Sequence, residues 1–286
     1  MSQLTAASLV RFKNLGVGTM TKPFIAGIAF AAFFAGSAAA ADMPVKAPAA
    51  PPIAAVFNWT GFYVGLNAGG NWGTSHTSTV LGFVGDYFGT CGQSCVDLFA
   101  PAGNLQSFKT SGFTGGIQGG YNWQFGSFVA GIEADFQYFR SAGSTSVTVP
   151  HGILAFTRTV NTSISTDWLF TARPRLGVAA GNWLFYGTGG LAVTELKANW
   201  RYSDTIGTAR ESASASSTKA GWVAGGGVEA AVLGNWLVGA EYLYVKFSGV
   251  SAAGNIITGG SSDDILKHSG ADLSANIVRA RVSRKF

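Results

Sequence analysis

Glu133 and Asp135 stand two residues apart, as do Arg173 and Arg175, and Arg279 and Arg281 near the end of the chain. Glu229 and Glu241 complete a set of four acids and four bases. Two neighbouring carboxylates can serve as general acid and base, whereas carboxylates facing guanidinium groups form charge-assisted hydrogen bonds instead. A spacing of two places both members of a pair on one face of a strand. Matching acids and bases therefore read as ion-pair partners, and Glu133 with Asp135 reads as the acidic side of those pairs rather than as a catalytic dyad. Cys91 and Cys95, the only cysteines, are separated by three residues and are expected to form a local disulfide in a loop. Two thiols alone do not complete a metal site, so none is expected. His76, His151 and His268 fall in three different expected loops and read as solvated side chains. No Ser/His/acid motif surrounds any of them, and the hydroxyls and acids of Ser163 to Asp167 and Ser261 to Asp264 read as ordinary hydrophilic loop, so no enzyme is expected.

The elements that must carry these charges are strands. From Asn276 to Phe286, Val278, Ala280 and Val282 alternate with Ile277, Arg279, Arg281, Ser283 and Lys285, which gives one mostly apolar and one charged face. A strand of this kind ending on Phe286 fits a lipid-facing wall with an aromatic ring at the membrane interface. The same alternation recurs from Phe62 to Trp72, Phe113 to Phe125, Phe128 to Tyr138, Trp168 to Val178, Trp222 to Val232 and Val238 to Tyr244. Trp183 to Thr194 is a further strand, with two mixed faces and no assignable register. Gly126-Ser127, Gly181-Asn182 and Gly234-Asn235 read as tight turns, and residues 73–112, 140–165, the Ser/Thr/Ala-rich stretch before Trp222, and Ser248 to about Gly270 read as long loops. Pro174 removes a ladder donor and should mark a local irregularity. Eight strands with long and short connections in strict alternation predict an all-β, eight-stranded antiparallel transmembrane β-barrel, with short turns in the periplasm and long loops outside. Trp123, Phe125, Phe128, Trp183, Trp236 and Phe286 would form the periplasmic aromatic girdle.

Composition agrees with this. Forty glycines, 13% aromatics, 47% apolar residues and only 12% charged residues in 286 positions exclude a disordered chain and suit closely packed strands. Residues 24–41 form an apolar run behind Lys22 that closes in small residues, the pattern of a signal peptide cleaved near Ala40 or Ala41. The alternative, an uncleaved anchor, is less suited to so Ala-rich a run. Residues 1–41 are thus assigned to the signal with an extended n-region, Met20 being a possible second start; residues 42–56 are a Pro/Ala-rich linker and residues 57–286 the barrel. Arg11, Lys13 and Lys22 precede the cleavage site, and removing them from 19 basic residues leaves 16 against 14 acids. The formal charge of +5 is therefore no nucleic-acid footprint.

Two rival folds meet the same pattern. Residues 176–194 carry no charge and are long enough for a helix across a bilayer, but five glycines and the Gly181-Asn182 turn favour two strands. A soluble eight-stranded barrel of the lipocalin type would place the apolar face inside; the turn-side aromatics and the terminal Phe286 argue against it.

Several segments carry a resemblance. Asn58-Trp59-Thr60-Gly61-Phe62-Tyr63-Val64-Gly65-Leu66-Asn67-Ala68-Gly69-Gly70, Gly116-Ile117-Gln118-Gly119-Gly120-Tyr121-Asn122-Trp123, Tyr186-Gly187-Thr188-Gly189-Gly190-Leu191-Ala192 and Val278-Arg279-Ala280 with Phe286 are similar to the small alphaproteobacterial outer-membrane barrels. Those proteins are major surface antigens, often labelled porins and related to the OmpA transmembrane domain. The resemblance spans residues 57–286 and implies the outer membrane of a Gram-negative bacterium. Arg284 departs from it, standing where the family's C-terminal signal usually carries an aromatic; an arginine at an interface can snorkel.

If the polar face is the lumen, Glu133, Asp135, Arg173, Arg175, Glu229, Glu241, Arg279 and Arg281 meet in a bore that side chains just fill, and must pair there. The expected function is an outer-membrane structural and surface-exposed protein with a narrow, charge-plugged lumen. A narrow porin for small solutes is the alternative. Loop-mediated capture of a ligand such as haem, which the resemblance permits, or of a host surface, is a third. No cofactor is expected. The expected partners are outer-membrane lipid and lipopolysaccharide, the assembly machinery reading Phe286, and, in a homo-oligomer, further copies of the chain.

Overall fold

The computed structural model describes residues 57–83, 105–150, 157–205, 209–257 and 264–286. The expected signal peptide, the linker, Cys91, Cys95 and His151 lie outside the described residues. The strands are β1 (Gly61–Phe83), β2 (Leu105–Phe125), β3 (Phe128–Pro150), β4 (Thr157–Ala180), β5 (Trp183–Asp204), β6 (Arg210–Val232), β7 (Trp236–Phe247), β8 (Ala252–Asn255), β9 (Ile265–Gly270) and β10 (Leu273–Lys285). Neighbours from β1 to β7 pair antiparallel in chain order, β7 pairs β10, and β10 pairs back onto β1 from Tyr63 opposite Lys285 to Thr74 opposite Ser274. This closes a ring of eight strands.

The two additional short strands extend the ring. Beyond Thr77 the partner of β1 is β9, which in turn pairs β8. Gly270 and Ala271, at φ of 96° and 35°, bend the chain between β9 and β10, so the two are halves of one wall strand. The three tight turns stand where glycine supplies the left-handed conformation: Gly126, Gly181 and Gly234 have φ of 64°, 59° and 70°. The turn at Gly181 between β4 and β5 rules out a helix over 176–194. The β4–β5 ladder lapses at Arg173 and Pro174, between the pairs Ala172–Leu191 and Arg175–Thr188.

The strands run far beyond the lengths read from the sequence. Of the expected loops at 73–112 and 140–165, residues 73–83, 105–112, 140–150 and 157–165 belong to strands, the Ser/Thr-rich stretch before Trp222 is mostly β5 and β6, and the loop from Ser248 contains β8 and β9. The cause is an inversion of polarity along the barrel. On β5, Trp183, Phe185, Leu191 and Val193 point outward, but above them the outward set becomes Glu195, Lys197, Asn199 and Arg201 while Leu196, Ala198, Trp200 and Tyr202 are buried inside. A strand that is apolar outside and then apolar inside shows two mixed faces in sequence, which is why its register could not be read.

The outward apolar residues define a band. Leu66, Ile117, Ile132 and Leu176 are 57–69% exposed, the opposite of a lipocalin core. Trp123, Phe125, Phe128, Trp183, Trp236 and Phe286 are all exposed at the turn end. A second outward ring of aromatics, Trp72, Phe113, Tyr138 and Trp222, closes the band above. From Phe128 to Tyr138, ten steps of about 3.3 Å at a tilt of about 40° rise about 25 Å, the height of a bilayer-facing apolar band. The residues of β3 from Arg140 to Pro150 project beyond it.

Candidate functional site

The interior is filled in layers. At the turn end Trp59, fully buried, packs with Val129, Leu184, Tyr186 and Leu237 into an apolar floor. Above it lie the eight charged side chains singled out in the sequence, each no more than 4% exposed. Alternation along β3, β4, β6, β7 and β10 turns all of them inward, and the antiparallel register sets Glu133 opposite Arg173 and Arg279 opposite Glu241.

Each arginine touches more than one acid. Arg173 Nη2 lies 2.6 Å from Glu133 and 2.8 Å from Asp135, with Nη1 3.6 Å from Glu241. Arg175 reaches Glu229 at 2.8 Å and Glu133 at 3.2 Å. Arg279 bridges Asp135 at 3.1 Å and Glu241 at 2.6 Å. Arg281 contacts Glu133, Glu241 at 2.7 Å and Glu229 at 3.2 Å. The set is electrically balanced and continuous, as low-dielectric surroundings demand of buried charge.

Neutral groups complete the network. Tyr63 donates to Glu133 at 2.7 Å and accepts from Arg175 at 2.9 Å. Tyr186 donates to Glu241 at 2.9 Å, accepts from Arg281 at 2.7 Å, and lies with its ring 4.1 Å below the Arg175 guanidinium. Thr171 donates to Asp135 and Arg279 donates to Gln137. Tyr63 has the inward parity of β1, whereas the two mixed faces of β5 hide Tyr186 in the sequence. Glycines make the room. A Cβ on Gly120 would sit 2.5 Å from the Tyr63 hydroxyl, and one on Gly227 would sit 2.6 Å from that of Tyr186.

Over the charges lies a layer that strand parity in the sequence does not reveal. Phe139, Leu169, Leu196, Trp200, Leu243 and Ile277 belong to a buried apolar cluster inside the barrel above the network.

His76 and His268 lie on opposite faces of the wall. His76 is on the outer face of β1, 3.2 Å from Asp272. His268 is on β9 and points inward, 1% exposed. Its Nδ1 lies 2.9 Å from Thr79 Oγ1 and its Nε2 3.2 Å from Glu211 Oε1, with the Trp200 ring stacked on it at 5.2 Å. The expectation of a solvated loop histidine is thus corrected for His268: the inverted polarity of the upper barrel draws it into the interior. The hydroxyl, imidazole and carboxylate follow the order of a nucleophile relay, but Thr79 is 1% exposed and presents no surface to a substrate. At the other end Phe286 packs against Phe62 at 6.3 Å, and the Arg284 guanidinium lies 5.9 Å from the Trp236 ring and 5.8 Å from that of Phe286. The departure at Arg284 is therefore seated among interface aromatics.

Comparison with known proteins adds independent findings. The model of the family described as "Outer membrane protein beta-barrel domain" matches residues 28–286. The 31 kDa outer-membrane immunogenic protein of Brucella melitensis is 37% identical over 223 residues, covering 75% of this chain and 82% of that protein. The 22 kDa outer membrane protein of Rhizobium leguminosarum is 32% identical over 139 residues, covering 48% of this chain and 54% of that protein. Among solved structures, the Pseudomonas aeruginosa outer membrane protein OprG is similar at 10% identity and a TM-score of 0.38, covering 79% of this chain and 97% of its own. The family match and the Brucella relative, together with the closed ring of strands and the apolar band, show that the chain belongs to the outer membrane protein beta-barrel domain family and resides in the outer membrane of a Gram-negative bacterium.

Proposed function

We propose that this protein is a sealed outer-membrane anchor that displays its long connections on the cell surface. The observation that carries the reading is the paired set of eight charges held between an apolar floor and an apolar layer above. A conducting pore needs a continuous hydrated path, and an eight-stranded bore has little space beyond its own side chains. Short turns then face the periplasm, and the projecting half of the barrel lifts the connections clear of the lipid. The relatives named as immunogenic outer-membrane proteins support display at the surface.

Residues 1–41 serve as the export signal and residues 42–56 as a spacer in this reading, Cys91 and Cys95 clip a displayed connection, and Phe286 is read by the assembly machinery. Catalysis has no part in it. Liposome swelling tests the seal: vesicles carrying the folded barrel should swell in small sugars no faster than empty vesicles. Swelling that scales with protein content would instead establish the narrow-porin alternative.

A further inference from the structure

Directly above the apolar band, the outer wall of β3, β4 and β5 changes character. Arg140 and Lys197 flank Asp167, with contacts of 3.7 and 2.8 Å, and Lys197 also lies 3.6 Å from Glu195. This charged step stands two residues above Tyr138 on β3 and four above Val193 on β5. Higher still, a groove of about 520 Å³ runs across the three strands, lined by Ser144, Ser146, Asn161, Ser163, Asn199 and Arg201 among others. Register makes it one continuous patch: Ser146 is opposite Asn161, Asn161 opposite Arg201, and Ser163 opposite Asn199.

The chemistry of the patch is specific. Its hydroxyls and amides both donate and accept hydrogen bonds, and short side chains leave the groove open. Arg201 is exposed and, among the described residues, has no carboxylate partner. This wall is continuous with the lipid-facing band, so whatever adjoins the acyl chains in the outer leaflet must lie against it. In this membrane that layer is the phosphorylated saccharide of lipopolysaccharide, whose hydroxyls suit the amides and whose anionic groups suit a guanidinium.

We propose that the groove on β3–β5 binds the anionic core saccharide of outer-leaflet lipopolysaccharide, with Arg201 on an anionic group and Asn161 and Asn199 on sugar hydroxyls. The assignment rests on the reading that the projecting end of the barrel faces outward. It goes beyond general affinity for lipid, because it locates recognition on one sector of the wall.

The test uses the folded full barrel in detergent micelles, with three probes: rough-form lipopolysaccharide bearing core sugars, lipid A freed of those sugars, and phosphatidylglycerol. Retained lipid is read by native mass spectrometry. The variant Asn161→Ala/Asn199→Ala/Arg201→Ala should bind core-bearing lipopolysaccharide about tenfold or more weakly, the scale of losing hydrogen bonds to a charged or polar ligand. Its retention of lipid A and phosphatidylglycerol should be unchanged, and Lys246→Ala, which removes an exposed cation from β7, should bind all three as the parent does. Equal binding of core-bearing lipopolysaccharide by variant and parent would overturn the proposal. So would equal losses for all three lipids, or the same loss in Lys246→Ala, since either would reduce the effect to bulk charge. Heat-shifted gel mobility, measured in parallel, reports on the barrel itself, and its loss in the parent protein would count against the anchor reading instead.

Discussion

Replacing Arg175 by methionine keeps bulk and removes one charge from the buried network. The guanidinium is 1% exposed, lies 2.8 Å from Glu229, 3.2 Å from Glu133 and 2.9 Å from the Tyr63 hydroxyl, and stacks over Tyr186. Without it four carboxylates face three guanidinium groups in a closed bore. Removing one partner of a buried pair costs about 3–5 kcal/mol, a factor of about 10² to 10³·⁵ in the folding equilibrium. Arg175→Met/Glu229→Gln restores the balance, and Arg281 keeps Glu133 and Glu241 when Glu229 is neutralised. The double variant is therefore expected to be more stable than Arg175→Met alone by about 1 kcal/mol or more, because replacing a buried pair entirely is far milder than breaking it. Urea unfolding from lipid vesicles, followed by tryptophan fluorescence and heat-shifted mobility, measures both. A single variant within about 0.5 kcal/mol of the parent, the ordinary range for a surface change, would refute the reasoning, as would a double variant less stable than the single.

Gly120→Val places a branched side chain where a Cβ alone would meet the Tyr63 hydroxyl at 2.5 Å; the yield of heat-modifiable, folded barrel should fall sharply, and a parental yield would show that the interior has slack. Ile132→Arg, at the centre of the apolar band, should destabilise the barrel in vesicles by about 2–4 kcal/mol, while Ser146→Arg on the projecting wall should change it by less than about 0.5 kcal/mol; comparable effects in urea titrations would misplace the lipid boundary. Phe286→Ala removes the ring that packs on Phe62, and should lower the amount assembled in the outer membrane of cells, read by surface protease accessibility; unchanged assembly would deny the ring a role in recognition.

The membrane-embedded half of the barrel was legible because each strand there alternates against two unlike media. Ile132 faces lipid and Glu133 faces the lumen, so parity alone oriented the charges. The projecting half was not legible for the complementary reason. Past Val193 the outer wall meets a polar layer, the interior turns apolar at Leu196 and Trp200, and the Ser/Thr-rich outward positions imitate a loop. The same inversion concealed His268, which sits in a stretch read as loop but is held inside by Thr79, Glu211 and Trp200. Pairing within the network lay beyond parity, since Tyr63 bridging Glu133 and Arg175 depends on the stagger of strands far apart in the chain.

Single-channel recording across a planar bilayer addresses the seal most directly. Folded wild-type barrel, inserted at a density confirmed by heat-shifted mobility of the recovered protein, should leave the membrane at its bare conductance. Reproducible discrete steps from that protein, scaling with its amount, would show an open path past Arg281 and Phe139 and contradict the account.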